Sequence, residues 1–208
     1  MKTTTNIFEI KENINNVTIR LYNANSSKVT GITKDAGEFG FEGLVIVPVI
    51  ELFATEEVTG VIQITKRIID ELGLDEEAIF NKAIANTKYT IKSMRDVLIG
   101  CMFPNGIITE EDREMTDMML PPDDGRMWIV SNPSQFLGAS SIIPALPELK
   151  ERFDDGFIVL PSSIHEVIVL TKGDEDEETL NEMVRDINAG VVAEEERLSD
   201  DIYVFETA

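Results

Sequence analysis

The chain has 208 residues, of which 39 are acidic and 18 basic, giving a formal charge of −21. That length allows one large domain or two small ones with a well-buried core. The charge argues against direct nucleic-acid binding, which gains affinity when Lys and Arg neutralise phosphates, and it repels anionic lipid while favouring cations or basic protein surfaces. One cysteine, Cys101, rules out an internal disulfide and any multi-cysteine zinc set. The start of the chain lacks the apolar stretch and cleavage site of a signal peptide, and no run approaches the roughly 20 apolar residues of a spanning helix. A soluble, cytoplasmic protein without a membrane partner is expected.

Along the first half, Val17, Ile19 and Leu21 alternate with Thr18, Arg20 and Tyr22, the pattern of a half-buried strand. A long apolar run from Phe41 to Phe53 is interrupted by Pro48, which suits an edge or a bulge. Val58 to Ile64 is a further strand. Thr65 is placed to cap a helix, with Ile64 and Ile69 as a hydrophobic staple and Gly73 at its end. Asp75 opens a second helix whose inner face carries Ile79, Phe80, Ala83, Ile84 and Thr87. A third helix is expected to turn Met94, Val97, Leu98 and Cys101 inward.

Residues 104–126 are acidic, methionine-rich and broken by Pro121-Pro122, and mark a linker between residues 1–103 and 127–208, which can also pack as one body. Thr109 and Asp112 can open a short helix there that gathers Met115, Met118 and Met119 on one side. These methionines either pack on the body or form an adaptable binding stripe. After the linker, strands at Met127–Ser131, Phe157–Leu160, Glu166–Leu170 and Ile202–Phe205 and helices at Gly138–Phe153 and Glu177–Ile187, the latter with Leu180, Met183, Val184 and Ile187 on one face, give the order β-α-β-β-α-β. The fold class is α+β. Its second half is read as ferredoxin-like, an antiparallel sheet with both helices on one face, and the first half as mixed strands with a helical cluster.

The link between the two central strands gathers Ser162, Ser163, His165 and Glu166, including the only histidine. These residue types suit a serine nucleophile, a histidine base and an orienting carboxylate. Adjacent residues of a strand point to opposite faces, so His165 and Glu166 cannot form a simple line, and a partner such as Asn132 is required. The alternative is structural: Pro161 ends a strand, and the serines and His165 bond the turn. One histidine and one cysteine supply no zinc set, and Walker and Gly-x-Gly-x-x-Gly motifs are absent, so no metal and no cofactor is expected. From Asp174 to Glu206 there are 13 acidic residues against Arg185 and Arg197. Glu194, Glu195, Glu196, Asp200 and Asp201 exceed what helix capping needs, and form a candidate surface for a basic protein partner.

The strings Ile64-Thr-Lys-Arg-Ile-Ile-Asp-Glu-Leu-Gly-Leu-Asp-Glu-Glu-Ala78, Asn86-Thr87, Gly138-Ala139, Pro161-Ser-Ser-Ile-His-Glu166 and Leu198-Ser-Asp200 resemble the uncharacterised family "domain of unknown function 5688", typical of gut Firmicutes and their mobile elements. The similarity runs from about Phe41 to Phe205, with a shortened amino-terminal region. More distantly the chain is similar to domain of unknown function 1444. The resemblance implies a bacterial protein with a shared fold and shared special positions, and no reaction. The expected function is a non-enzymatic acidic interaction or regulatory protein, with imitation of nucleic acid as the extreme case. A hydrolase using the Ser162–Glu166 link is the alternative.

Overall fold

The computed structural model describes residues 7–54, 59–134, 137–161, 163–173 and 176–206. Seven α-helices and two antiparallel sheets form an α+β fold among them. After a helix α1 (Ile7–Asn13), the first sheet is built on β3 (Leu44–Ala54). Strand β1 (Thr18–Asn23) runs along one edge of β3, from Thr18 opposite Val49 to Asn23 opposite Leu44. The other edge is shared by β2 (Lys34–Asp35), which reaches Ile46, and β4 (Thr59–Gln63), which starts at Val49. Pro48 falls at the break between them. Its missing N–H therefore removes no ladder bond, while its carbonyl accepts from Ile64 N at 2.9 Å. The strand is central, and the anticipated irregularity lies further on, as a register shift between Glu51 and Phe53.

The caps read from the sequence set the helix boundaries. Thr65 Oγ1 accepts from Ile68 N at the head of α2 (Lys66–Leu72), and Gly73 closes it at φ 61°. Asp75 caps α3 (Glu76–Asn86), which buries Ile79, Phe80 and Ala83. At its end, Thr87 Oγ1 accepts from Ile19 N and Asn86 Nδ2 donates to Val17 O, stitching α3 to the outer edge of β1.

The second sheet has the order β5-β6-β8-β7-β9, with β5 (Thr90–Ser93), β6 (Met127–Ser131), β7 (Phe157–Leu160), β8 (Val167–Thr171) and β9 (Tyr203–Phe205). Strand β5 precedes the segment 104–126 and pairs with β6, which follows it. The remaining helices are α4 (Met94–Met102), α5 (Glu110–Met119), α6 (Ile142–Arg152) and α7 (Glu177–Gly190). The β-α-β-β-α-β order is present from β6 to β9, but two ferredoxin-like details are not. The last strand, β9, lies beside β7 rather than beside β6, whose free edge is taken by β5. The two helices also lie on opposite faces of the sheet. Helix α6 shares a core with Phe157, Val159, Val167 and Val169, whereas Leu180 and Val184 of α7 pack on Ile158, Leu160 and Leu170. All four residues of β7 are apolar and buried, so this strand can be covered on both sides.

The larger core joins both sheets: Ile19, Leu21 and Ile46 from the first belong with Val130, Phe157 and Val169 from the second. Phe41 is the aromatic junction, with its ring 5.1 Å from that of Tyr203 and 5.3 Å from that of Phe205, which stacks on Phe157. The second core is thin, with five buried members. Its neighbours depart from the sequence reading. No residue of α4 is buried and Cys101 is exposed, because α4 flanks the edge strand β5 and its neighbour β6 rather than entering the core. On α7, Leu180 and Val184 point inward, while Met183 and Ile187 are 42% and 41% exposed.

Phe41→Ala should lower stability in urea by roughly 3–5 kcal/mol. Because the ring joins the two sheets, fluorescence of the single tryptophan, Trp128 on β6, should shift together with far-UV dichroism. Acid provides a second check. Asp112 and Asp176 accept hydrogen bonds from the hydroxyl and then the backbone N–H of Thr109 and Thr179, which hold both carboxyls below the ordinary value of 3.8. Such groups stabilise the fold above their unfolded pKa, and this contribution is lost as pH falls through the lower folded value. Helical dichroism should therefore decline below about pH 4, and Asp176→Ala should remove part of that acid-sensitive loss.

Candidate functional site

The link between β7 and β8 is held by backbone on three sides. Gly138 N donates to His165 O at 2.7 Å, Ala139 N to Ile164 O at 3.1 Å, and Ile164 N to Glu196 O at 3.0 Å. Ser163 bridges to Arg197 in an isolated antiparallel pair. Gly138 is required by this approach. A Cβ there would stand 2.2 Å from Ser131 Oγ, 2.5 Å from Asn132 N and 2.9 Å from His165 O. Leu137, just before it, has φ 51°, a conformation unfavourable for a branched side chain.

His165 lies against this turn with its side chain 31% exposed. Its Nδ1 accepts from Leu137 N at 3.4 Å, so the neutral ring carries its proton on Nε2, which stands 3.6 Å from Glu196 Oε1. The carboxylate brought to the histidine is thus Glu196, not Glu166, which is half-exposed. Ser163 Oγ accepts from the backbone N of His165 at 3.3 Å, and Ser131 Oγ donates to the His165 carbonyl at 3.1 Å. These hydroxyls serve the backbone of the link. Ser162 lies outside the described residues. Asn132 is in a separate cavity, with its Oδ1 accepting from Ser134 Oγ at 2.9 Å.

Arg20, read from the sequence as solvent-facing, is 8% exposed. Its Nη1 donates to Leu137 O and its Nη2 pairs with Glu51, tying the first sheet to the turn that holds His165. Burial is the main influence on this guanidinium and lowers its pKa, with Glu51 acting in the opposite direction. Nothing in the alternation of β1 distinguishes Arg20 from Thr18 or Tyr22. Its position becomes intelligible only once residues 137–141 fold over the strand.

The acidic candidates separate into two groups. Glu196 faces His165, Asp200 Oδ1 accepts from Asn188 Nδ2 at 2.7 Å, and Asp201 pairs with Arg185 at 3.0 Å. Glu194 and Glu195 are exposed. Met115, Met118 and Met119 are 44%, 89% and 65% exposed, and the residue of α5 that turns inward is Thr116. Every exposed large apolar side chain among the described residues falls between Leu98 and Val191, on α4, the segment through α5, the start of β6, and α7 with its end. Where these elements meet there is a groove of about 410 Å³, lined by Met94, Leu98, Leu120, Met127, Leu180 and Met183. Leu98, Met127 and Met183 are site residues that sequence reasoning did not single out. The signal available for Leu98 and Met183 was the width of the apolar faces of α4 and α7, and Met127 at the start of β6 had none.

Among the described residues no three His, Cys, Asp or Glu side chains gather as a metal site, and no helix is long and apolar enough to cross a membrane. Gly138→Ala should destabilise the protein by at least the roughly 1–3 kcal/mol of an overpacked core. Gly100→Ala, where a Cβ in α4 meets nothing within 4 Å, should stabilise by about 0.5–1 kcal/mol. Urea denaturation of both variants measures the contrast.

No curated protein and no solved structure matches the chain. A family model described as Family of unknown function (DUF5688) matches residues 1–207, including residues 1–40, which lie outside the stretch whose motifs carry the resemblance. The arrangement around Gly138 and His165 therefore belongs to a member of the DUF5688 family of unknown function.

Proposed function

We propose that this protein is a non-enzymatic interaction module, which uses the groove between α4 and α7 to hold a basic amphipathic helix of a partner protein. The carrying observation is that, among the described side chains, the exposed large apolar ones fall between Leu98 and Val191, and that Leu98, Met127 and Met183 of this set line the groove. One face of the second sheet is covered by α6 and the first sheet, whereas the other is covered by α7 over a core of five residues. Contiguous exposed apolar surface of this kind suits a partner, and methionine-rich grooves re-pack around helical ligands.

Charge selects the occupant. Helices α5 and α7 carry nine carboxylates against Arg113 and Arg185, while the lining of the groove itself is balanced, with Asp123 and Asp124 beside Arg95 and Arg126. A second copy of a chain with charge −21 would be repelled, while a helix with Lys and Arg beside its apolar anchors would be attracted. Glu194 and Glu195 do not line this groove and lie instead beside Asn25, Ser26 and Lys28.

The test is fluorescence anisotropy with a labelled Lys- and Leu-rich amphipathic peptide and a scrambled peptide of equal charge. The amphipathic peptide should bind at least tenfold more tightly, and Leu98→Glu with Met183→Glu should remove that advantage. Raising salt from low to physiological levels should weaken binding several-fold. Equal binding of both peptides, or no effect of the double variant, would refute the groove.

A further inference from the structure

Arg20 lines two cavities, one of about 330 Å³ and one of about 260 Å³. Arginine is seldom buried unless its charge and donors are met. Here the side chain is 10% exposed, and its two terminal nitrogens go to Leu137 O and Glu51. Its Nε is buried and has no hydrogen-bond partner among the described residues. The paired carboxylate of Glu51 is itself 42% exposed, so it neutralises the guanidinium incompletely. A buried cation that its one carboxylate partner neutralises incompletely favours an anion beside it.

The smaller cavity has the chemistry to supply a place for one. Its wall includes Thr18, Asn86, Asn132, Ser134 and Ser140, all hydroxyl or amide groups. Lys88 adds a second positive charge, and Glu51 is the single carboxylate of the lining. Ser140 and Ser141 also lead into α6, so the positive end of an eleven-residue helix borders the cavity. The larger cavity lacks this balance, since Glu195 and Glu196 oppose Arg20 and Lys28 there.

We infer that the cavity beside Arg20, Lys88 and Asn132 is a binding site for a small oxyanion, a phosphate or carboxylate group on a compact hydroxylated molecule. The positive charges of Arg20 and Lys88 suit the oxyanion, and the surrounding hydroxyls and amides suit the hydroxyl substituents of the molecule that carries it. The site is separate from the α4–α7 groove and does not rest on the function proposed for it. It also gives Asn132 a role other than orienting a catalytic histidine.

Titration calorimetry of the 208-residue chain at constant ionic strength tests this, with inorganic phosphate, lactate and neutral glycerol as probes. Phosphate or lactate should bind saturably at one site, the tighter of the two identifying the preferred headgroup, and glycerol should not. Lys88→Gln, at an exposed position, should weaken anion binding at least threefold. Glu51→Gln should strengthen it at least threefold by removing the competing carboxylate, and Arg20→Met should abolish it. Should Arg20→Met not fold, the opposite effects of the Lys88 and Glu51 variants decide. No saturable binding of either anion, equal binding of glycerol, or affinities unchanged in both of those variants would overturn the site.

Discussion

Three backbones meet at Gly138 with no room for a side chain between them: the end of β6, the link between β7 and β8, and the approach to α6. Much else follows from that contact. It fixes the carbonyl of His165 between Gly138 N and Ser131 Oγ, and so holds the link as part of the body rather than as a free loop. It forces Leu137 into a left-handed conformation, whose N–H and carbonyl then reach His165 and Arg20. The strain of such a residue, on the order of 1–2 kcal/mol, persists because these partners over-determine it. A single close approach thus couples the second sheet to the first through Arg20 and Glu51.

The second sheet is covered unequally. The face toward α6 is merged with the first sheet in one large core, and its aromatic rings close the junction. The face toward α7 has a small core and a margin of exposed methionine, leucine and isoleucine. The acidic residues of α5 and α7 lie on the elements that carry this margin, and their charge opposes the approach of a second copy.

Much of the fold was legible because its signals are local. Thr65, Gly73, Asp75 and the reciprocal pair Thr109 and Asp112 act within a few residues of themselves, and each sets a helix boundary as read. The split between the two faces of the sheet was not legible. Phe157-Ile-Val-Leu160 is apolar at every position, and without alternation a strand does not tell which neighbour lies on which side. The exposure of Met183 and Ile187 was hidden for a similar reason: an apolar stripe on a helix reads the same whether or not a partner within the chain covers all of it. At the candidate site, the grouping of Ser163 with His165 was visible because they are adjacent, but Arg20, Leu137 and Glu196 come from distant parts of the chain. Only the tertiary fold brings them to the histidine.

The outer edge of β1 is one margin at which the first sheet could be lengthened by another strand. There the end of α3 lays Thr87 and Asn86 across the backbone, taking the N–H of Ile19 and the carbonyl of Val17. Strand addition would have to displace these side chains before it could form a ladder. The helix end acts as a stopper on an otherwise sticky margin, so recognition by strand exchange is disfavoured there and contact through side-chain surfaces is left as the cheaper route.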